Sequence, residues 1–283
     1  GAPSSSQMLH RHWWYKRRED LLRIAAEHSA AFVYHRATLR EKARALKALP
    51  GIDTVLYALK ANWHPEILRT FADEGLGFEC VSQAEVEHVL RSVPDIDRKR
   101  ILFTPNFAPR SEYEWALAHG ITLTLDNLHP IREWPELFKK RDVFVRVDTG
   151  YGRGHHDKVR TAGAHSKFGV PLSEMDELEK LVKAAGARVV GLHAHTGSGV
   201  FRIENWQEVG ETLASLTERF KHVRTIDLGG GLGVPERLGQ PGVALSEFGE
   251  MLAALKAAHP NLSFWIEPGR FLVAEAGVLL ATV

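Results

Sequence analysis

Short apolar runs alternate with amphipathic stretches along most of the chain. Eight runs predict strands: Val55–Leu59, Gly77–Val81, Ile101–Thr104, Ile121–Leu125, Val143–Val147, Val189–His195, Thr225–Leu228 and Phe264–Glu267. Apolar positions at helical spacing lie between them, over Glu66–Glu74, Ala84–Arg91, Ser111–Ala118, Leu128–Phe138, Glu174–Ala185, Trp206–Phe220 and Ser246–Ala258. Alternating strands and helices predict a parallel sheet with right-handed crossovers. Eight such units in this length predict an α/β fold, a closed (β/α)8 TIM barrel of the alanine racemase-like kind.

Two apolar segments flank the predicted barrel. Ala31–Tyr34 predicts a strand before it, followed by a helix to about Leu49 that Thr38 and Glu41 would cap. Phe271–Val283 predicts a strand after it. We expect both to join a sheet outside the barrel, in a β-rich domain that this sequence lacks; the alternative is that they pair with each other. The predicted organisation is a linker and helix over 1–30, the barrel over 31–270 and an exit strand over 271–283.

Composition and charge exclude several classes of function. With 44% hydrophobic residues, the 283-residue chain can bury a sizeable core. A net charge of +1 gives no electrostatic attraction for nucleic acid or an anionic membrane. No apolar run approaches the roughly 20 residues of a membrane span. The single cysteine, Cys80, excludes an intrachain disulfide and favours a reducing, cytoplasmic location.

Polar and glycine-rich residues follow the predicted strands. Lys60 follows the first, and lysine is the side chain that forms Schiff bases with carbonyl groups. His195 ends the sixth strand and Glu267 the eighth. The carboxyl ends of barrel strands meet on one face, which is where barrel enzymes hold their active sites. We therefore expect these side chains to share one site.

Glycine-rich segments follow the last two strands, at Gly229–Gly233 and Gly269-Arg270. Consecutive glycines let backbone N–H groups approach an anion, and a guanidinium suits phosphate. Ordinary turns are the alternative interpretation of each segment.

A lysine, a phosphate loop, a carboxylate and an imidazole together favour pyridoxal 5′-phosphate as cofactor. Lys60 would take the aldehyde, Glu267 the pyridine nitrogen, and His195 would stack on the ring. We interpret His193 as an interior histidine with satisfied hydrogen bonds. We predict no metal site, because the histidine pairs lack a third and fourth ligand at metal spacing.

Six segments in order resemble the barrel domain of the fold-type III pyridoxal-phosphate-dependent decarboxylases, which act on diaminopimelate, ornithine, arginine and related amino acids. The segments are YALKAN (57–62), GFECVSQAE (77–85), SKFG (166–169), HTGSG (195–199), DLGGGLG (227–233) and EPGR (267–270). The resemblance covers the chain from about Ala31 to its end. It is strongest to the diaminopimelate enzymes, particularly the form fused behind an aspartate kinase.

The resemblance implies a role for each matched residue. Lys60 would carry the cofactor covalently, and with His195 and Glu267 it would form the catalytic group. Glu79, where relatives usually have Asp, and Arg146 would lie around the cofactor, and Lys167 at the substrate. The residues implied to hold the phosphate are Ser198, Gly230, Gly231, Gly269 and Arg270.

The same resemblance implies decarboxylation of a small-molecule diamino acid, most of all meso-diaminopimelate to L-lysine, by a head-to-tail homodimer. Because the chain has HTGSG where diaminopimelate enzymes often have HxGSQ, an ornithine- or arginine-type decarboxylase stays open. A racemase or dehydratase on this barrel and a pyridoxal-phosphate-binding barrel inactive without its β domain are further alternatives.

Overall fold

The computed structural model describes residues 4–150, 168–195, 202–232 and 244–281. Its strands are β1 (Ala30–Tyr34), β2 (Thr54–Ala58), β3 (Gly77–Cys80), β4 (Ile101–Phe103), β5 (Thr122–Leu125), β6 (Asp142–Asp148), β7 (Val170–Pro171), β8 (Arg188–His193), β9 (Thr225–Asp227), β10 (Ser263–Ile266) and β11 (Gly277–Ala281). Its helices are α1 (Ser5–Arg11), α2 (Trp13–Lys16), α3 (Arg18–Glu27), α4 (Arg36–Lys47), α5 (Pro65–Asp73), α6 (Gln83–Ser92), α7 (Arg110–Ala118), α8 (His129–Glu133), α9 (Met175–Ala185), α10 (Ile203–Ser215), α11 (Leu245–Ala258) and α12 (Arg270–Val273).

Eight parallel strands close into a barrel. Their order is β2, β3, β4, β5, β6, β8, β9 and β10, and β10 pairs with β2 to complete the ring. The predicted (β/α)8 fold is therefore confirmed. The two-residue strand β7, which the hydrophobic pattern did not predict, pairs with β6 outside the ring.

An apolar layer fills part of the barrel interior. Leu56, Leu102 and Phe144 pack together there with Trp265. Side chains two residues apart on a strand point to the same side. Thr104, Arg146 and Glu267 stand two residues after Leu102, Phe144 and Trp265, respectively. Their side chains therefore extend the barrel interior toward the carboxyl ends of three strands. These polar side chains therefore lie on the carboxyl-terminal side of the apolar layer.

Proline interrupts one of the predicted helices. The segment 128–138 forms α8 and then a 3-10 turn, Pro135–Phe138. Proline lacks a backbone N–H and collides with the preceding turn, so Pro135 ends the α-helical hydrogen bonding.

The predicted cap at Thr38 is wrong. Helix α4 begins at Arg36, with the extended residue His35 as its N-cap. The His35 carbonyl accepts the Leu39 N–H, so Thr38 already lies in the first turn. The Thr38 hydroxyl is 2.8 Å from His35 Nδ1, so it contacts the His35 ring instead of capping the helix.

The two flanking strands pair with each other. β1 and β11 form an antiparallel two-stranded sheet in which Phe32 lies opposite Leu279. The strand predicted over 271–283 starts later, because α12 and a 3-10 turn, Ala274–Ala276, come first. Trp13 joins the amino-terminal helices to this region: its indole N–H donates to the Glu275 carbonyl at 2.7 Å. Among the helices described, none is both long and apolar enough to cross a membrane.

Candidate active site

The predicted site residues that the structure describes converge at the carboxyl ends of the barrel strands. Lys60 lies in a 3-10 turn after β2, Glu79 on β3, Arg146 on β6, His195 beyond β8, Gly230 and Gly231 after β9, Glu267 after β10, and Gly269 and Arg270 at the start of α12. Ser198 and Lys167 lie outside the described residues. Convergence of the others agrees with the expectation of one shared site.

A hydrogen-bonded turn holds Lys60 at the mouth of the barrel. Strand β2 ends at Ala58, and the turn Leu59–Ala61 leaves the Lys60 side chain exposed. The Tyr57 hydroxyl donates to the Asn62 carbonyl at 2.7 Å, and the Asn62 amide donates to the Tyr34 hydroxyl at 2.7 Å. The turn is therefore anchored on both sides of the lysine.

Glu79 is a buried carboxyl beside this lysine. It is 9% exposed. Burial raises the pKa of Glu79 to about 7, although the Lys60 ammonium acts in the opposite direction. A carboxyl with a pKa near neutral can both accept and release a proton at physiological pH.

Glu267 shares a buried cluster with His193 and Asp227. Possible ligand atoms of the three side chains lie within 4.8 Å of one another. His193 Nε2 is 3.1 Å from Glu267 Oε1, but neither ring nitrogen has a partner with hydrogen-bond geometry. Burial raises the pKa of Glu267 to about 7 and lowers the pKa of His193 to about 4. His193 lies in the interior as predicted, at 4% exposed, but the prediction that its hydrogen bonds are satisfied is wrong, because both ring nitrogens lack a partner among the described residues.

His195 stands at the mouth, two residues beyond His193. The residue as a whole is exposed to solvent. Partial burial of its ring nevertheless lowers the pKa of His195 below its usual range, and the nearby His193, Arg146 and Lys60 side chains lower it further. The imidazole is thus neutral at pH 7, which suits a ring that lies against another ring.

Arg146 is fixed by a neighbour that the sequence analysis did not assign. Its Nη1 is 3.3 Å from Asp126 Oδ1, and its guanidinium lies 5.1 Å from the centre of the Phe168 ring. Burial raises the pKa of Asp126 to about 6, against the effect of Arg146. Arg146 also lowers the pKa values of Glu79 and Glu267, so its positive charge acts on both.

The two glycine segments pack closely against Glu267 and Ala58. The Gly229 carbonyl accepts the Glu267 N–H at 2.8 Å, and Gly231 has a φ of +97°. A Cβ at Gly230 would lie 2.6 Å from the Glu267 carbonyl oxygen, and one at Gly269 would lie 3.3 Å from the Ala58 Cβ. Only glycine therefore fits at position 230 without a shift of the Glu267 backbone. The role of these glycines at a phosphate stays a prediction.

Unsatisfied polar atoms make the interior suited to a polar ligand. The described residues contain buried side-chain polar atoms without a hydrogen-bond partner on Thr104, Thr124, Asp126, His193, Asp227 and Glu267. Leaving such groups unpaired is costly, and native proteins usually satisfy them. A carboxylate for a ring nitrogen, a lysine for an aldehyde and two glycine segments together fit pyridoxal phosphate.

The cluster of His193, Asp227 and Glu267 also offers three possible metal ligands. A zinc site commonly takes four. That the protein holds no metal stays a prediction.

Comparison with known proteins gives a consistent result. The family described as pyridoxal-dependent decarboxylase, pyridoxal binding domain, matches residues 36–274. The chain is 33% identical over 273 residues to the diaminopimelate decarboxylase of Streptomyces coelicolor, covering 93% of this chain and 61% of that protein. It is 32% identical over 282 residues to that of Methanothermobacter thermautotrophicus, covering 93% and 65%.

Solved structures agree. The diaminopimelate decarboxylase from Helicobacter pylori complexed with L-lysine superposes with a TM-score of 0.77 at 25% identity, over 92% of this chain and 68% of that one. The chain spans less than two thirds of the length of the two curated relatives named above.

Proposed function

Since this chain belongs to the pyridoxal-dependent decarboxylases, we propose that it decarboxylates a diamino acid, meso-diaminopimelate, to give L-lysine. The observation that carries the proposal is that Lys60 acts on two buried carboxyl groups with raised pKa values, Glu79 and Glu267, near buried polar atoms that have no partner among the described residues. The choice of substrate is supported by the names of the relatives at 32–33% identity.

Different residues would hold different parts of pyridoxal phosphate. Lys60 would bind its aldehyde, Glu267 its ring nitrogen and His195 one face of its ring. Backbone and side-chain donors would hold its phosphate, from Ser198, Gly230, Gly231, Gly269 and Arg270. When bound, the cofactor supplies the electron sink for the electron pair that remains when the bond to the carboxyl carbon breaks.

Protein groups would control the protons. Glu79 is buried beside Lys60 and titrates near pH 7, so it would take and return a proton at the lysine Nζ. Arg146, held by Asp126, would keep a positive charge beside Glu79 and Glu267. Lys167 would lie at the substrate, and binding would orient the bond to be broken, which is an orientation effect.

We further propose that the full-length protein is a homodimer whose subunits meet at the barrel mouth. Large apolar side chains are exposed in the loops around it: Trp63 is 59% exposed and Phe107 is 74% exposed. Val81 and Phe168 are exposed nearby along the same face, at 43% and 46%. Exposed apolar patches of this kind mark interaction surfaces. Light scattering of wild type and Phe107→Asp tests this, since the variant should lower the measured mass.

A cytoplasmic location is part of the proposal. It is supported by the single cysteine, Cys80, which is buried and offers no intrachain disulfide to an oxidising compartment.

A substrate panel tests the activity. Release of carbon dioxide is measured with meso-diaminopimelate, ornithine, arginine and lysine, for this chain and for a version extended to the relatives' length. We expect meso-diaminopimelate to give the largest kcat/KM. A preference for ornithine or arginine would move the protein to that type of decarboxylase. Activity in the extended version alone would identify the present chain as a cofactor-binding barrel that needs the remainder.

A further inference from the structure

Asp227 is buried against Glu267, and none of the steps above uses it. Its side chain is 0% exposed on β9. Asp227 Oδ1 accepts the Gly229 N–H at 2.9 Å, while Oδ2 has no hydrogen-bond partner among the described residues. Glu267 Oε2, which is also buried, lacks a partner as well. Two carboxyl groups thus stand within 4.8 Å of each other, each with one unsatisfied oxygen.

Two buried carboxyl groups this close cannot both be ionised without strong repulsion, so they share one proton. The surrounding charges decide which carboxyl keeps it. Arg146 and Lys60 both favour the charged form of Glu267. The basic group that acts on Asp227 is His193, which burial keeps neutral at pH 7. The negative charge therefore belongs on Glu267 and the proton on Asp227.

We propose that Asp227 is a positioning residue: it stays a carboxylic acid and donates its O–H to Glu267, which keeps Glu267 ionised toward the ring nitrogen of the cofactor. The inference rests on the proposed function only in naming pyridoxal phosphate as the group that Glu267 faces. The proton arrangement itself concerns this chain's own residues.

The groups around the pair come from several strands. Those acting on Glu267 are Asp227 from β9, Glu79 from β3, Arg146 from β6 and Lys60 from the turn after β2, with His193 of β8 in contact. Those acting on Asp227 are Glu267, His193 and the Gly229 N–H. Burial already raises the pKa of Glu267 to about 7, and a hydrogen bond donated by a protonated Asp227 would oppose that effect. Loss of the donor should therefore move the titration of Glu267 to higher pH.

The test compares two replacements of Asp227. Asp227→Asn keeps an acceptor for the Gly229 N–H and a donor for Glu267, whereas Asp227→Ala keeps neither. Thr70→Val serves as a matched control, because Thr70 is a buried polar residue of α5 that does not act on Glu267. The dissociation constant of pyridoxal phosphate is measured by absorbance between pH 6 and 9, and circular dichroism checks that each variant folds.

We expect Asp227→Asn and Thr70→Val to keep the wild-type midpoint of the binding-against-pH curve. Asp227→Ala should raise it by about one pH unit, which weakens binding about fivefold at pH 7 if the wild-type midpoint is near 7. A lower midpoint in Asp227→Asn would mean that Asp227 is the charged partner, and would overturn the proposal. An unchanged midpoint in Asp227→Ala would also overturn it.

A second readout does not depend on the cofactor. The carboxyl carbon of Glu267 is followed by NMR against pH in protein labelled with ¹³C-glutamate, and assigned by its loss in Glu267→Gln. Asp227→Ala should raise its titration midpoint and Asp227→Asn should not. If wild type fails to bind pyridoxal phosphate, the proposed function fails, yet this titration still decides the role of Asp227. Stoichiometric zinc binding that Asp227→Asn abolishes, measured by calorimetry with zinc chloride, would instead assign the cluster to a metal.

Discussion

Glu79, Asp126 and Glu267 have pKa values above the usual carboxyl range, at about 7, 6 and 7. Burial is the first cause in each case, because a charged carboxylate loses its hydration inside the barrel. Such a group binds its proton more tightly in the folded than in the unfolded chain. Its contribution to stability is complete below the unfolded pKa, near 4.5 for a glutamate, and is lost as the pH rises through the folded value.

Glu79→Gln isolates this effect at one position. The free energy of unfolding of wild type should fall between pH 5 and pH 8, and the part due to Glu79 is up to about 3 kcal/mol. The variant, which cannot ionise there, should lose that part of the pH dependence and gain stability relative to wild type at pH 8. Urea unfolding at both pH values measures it.

The surface carboxyl variant Glu133→Gln is the control for this experiment, since Glu133 is exposed and outside the barrel interior. An equal pH dependence in wild type and Glu79→Gln would show that Glu79 is not the group that titrates.

The sequence located part of this chemistry. Lys60 and Glu267 stand at predicted strand ends, and barrel geometry brings strand ends together whatever the details of packing. Glu79 and Arg146 were implied by the family resemblance. Asp227 also stands at a predicted strand end, but its contact with Glu267 depends on strand pairing. β9 and β10 pair with Asp227 opposite Trp265, two residues before Glu267. A register of this kind is set by tertiary packing, so the hydrophobic pattern alone did not reveal it.

Among the elements, β8 and β6 illustrate how the interior layer is fitted. A Cβ at Gly191 of β8 would lie 2.6 Å from atoms of the Phe144 ring of β6. Gly191→Ala should therefore destabilise the barrel by about 1–3 kcal/mol, as expected for overpacking. Urea unfolding measures this loss of stability for Gly191→Ala, for Phe144→Leu and for the double variant, which together form a double-mutant cycle.

Phe144→Leu is the matched partner, since leucine leaves room at the ring position. In that background Gly191→Ala should cost less, and the two substitutions should couple. Additive costs would mean that the glycine serves some other requirement.

The eight strands and most helices were predictable, because each strand is a short apolar run and each helix has a regular apolar face. Three local features were not. The β7 pairing depends on where a loop returns to the barrel, and the start of α4 depends on the His35 backbone. Residues 270–276 are apolar enough for a strand but turn into helix beside the barrel. In each case the surroundings outweigh local propensity.

At the scale of the whole molecule, the small sheet outside the barrel leaves an apolar face uncovered. Phe32 is 71% exposed and its strand partner Leu279 is 59% exposed. A net charge of +1 gives little repulsion between molecules. Phe32→Lys should therefore reduce self-association, read as a smaller rise of light scattering with protein concentration.

Ala30→Lys provides the comparison, because it adds the same charge on the same strand without removing a large apolar side chain. It should have the smaller effect. Equal effects of the two variants would mean that charge alone, rather than the apolar face, controls association.

The central claim is that Lys60 binds pyridoxal phosphate inside this barrel. The most direct test is the absorbance spectrum of the protein with added pyridoxal phosphate, before and after borohydride, for wild type, Lys60→Ala and the surface control Lys99→Ala. We expect a band at about 420 nm in wild type and Lys99→Ala, and a borohydride-stable adduct on Lys60 alone. The same band and adduct in Lys60→Ala, or none in wild type extended to the relatives' length, would contradict the account.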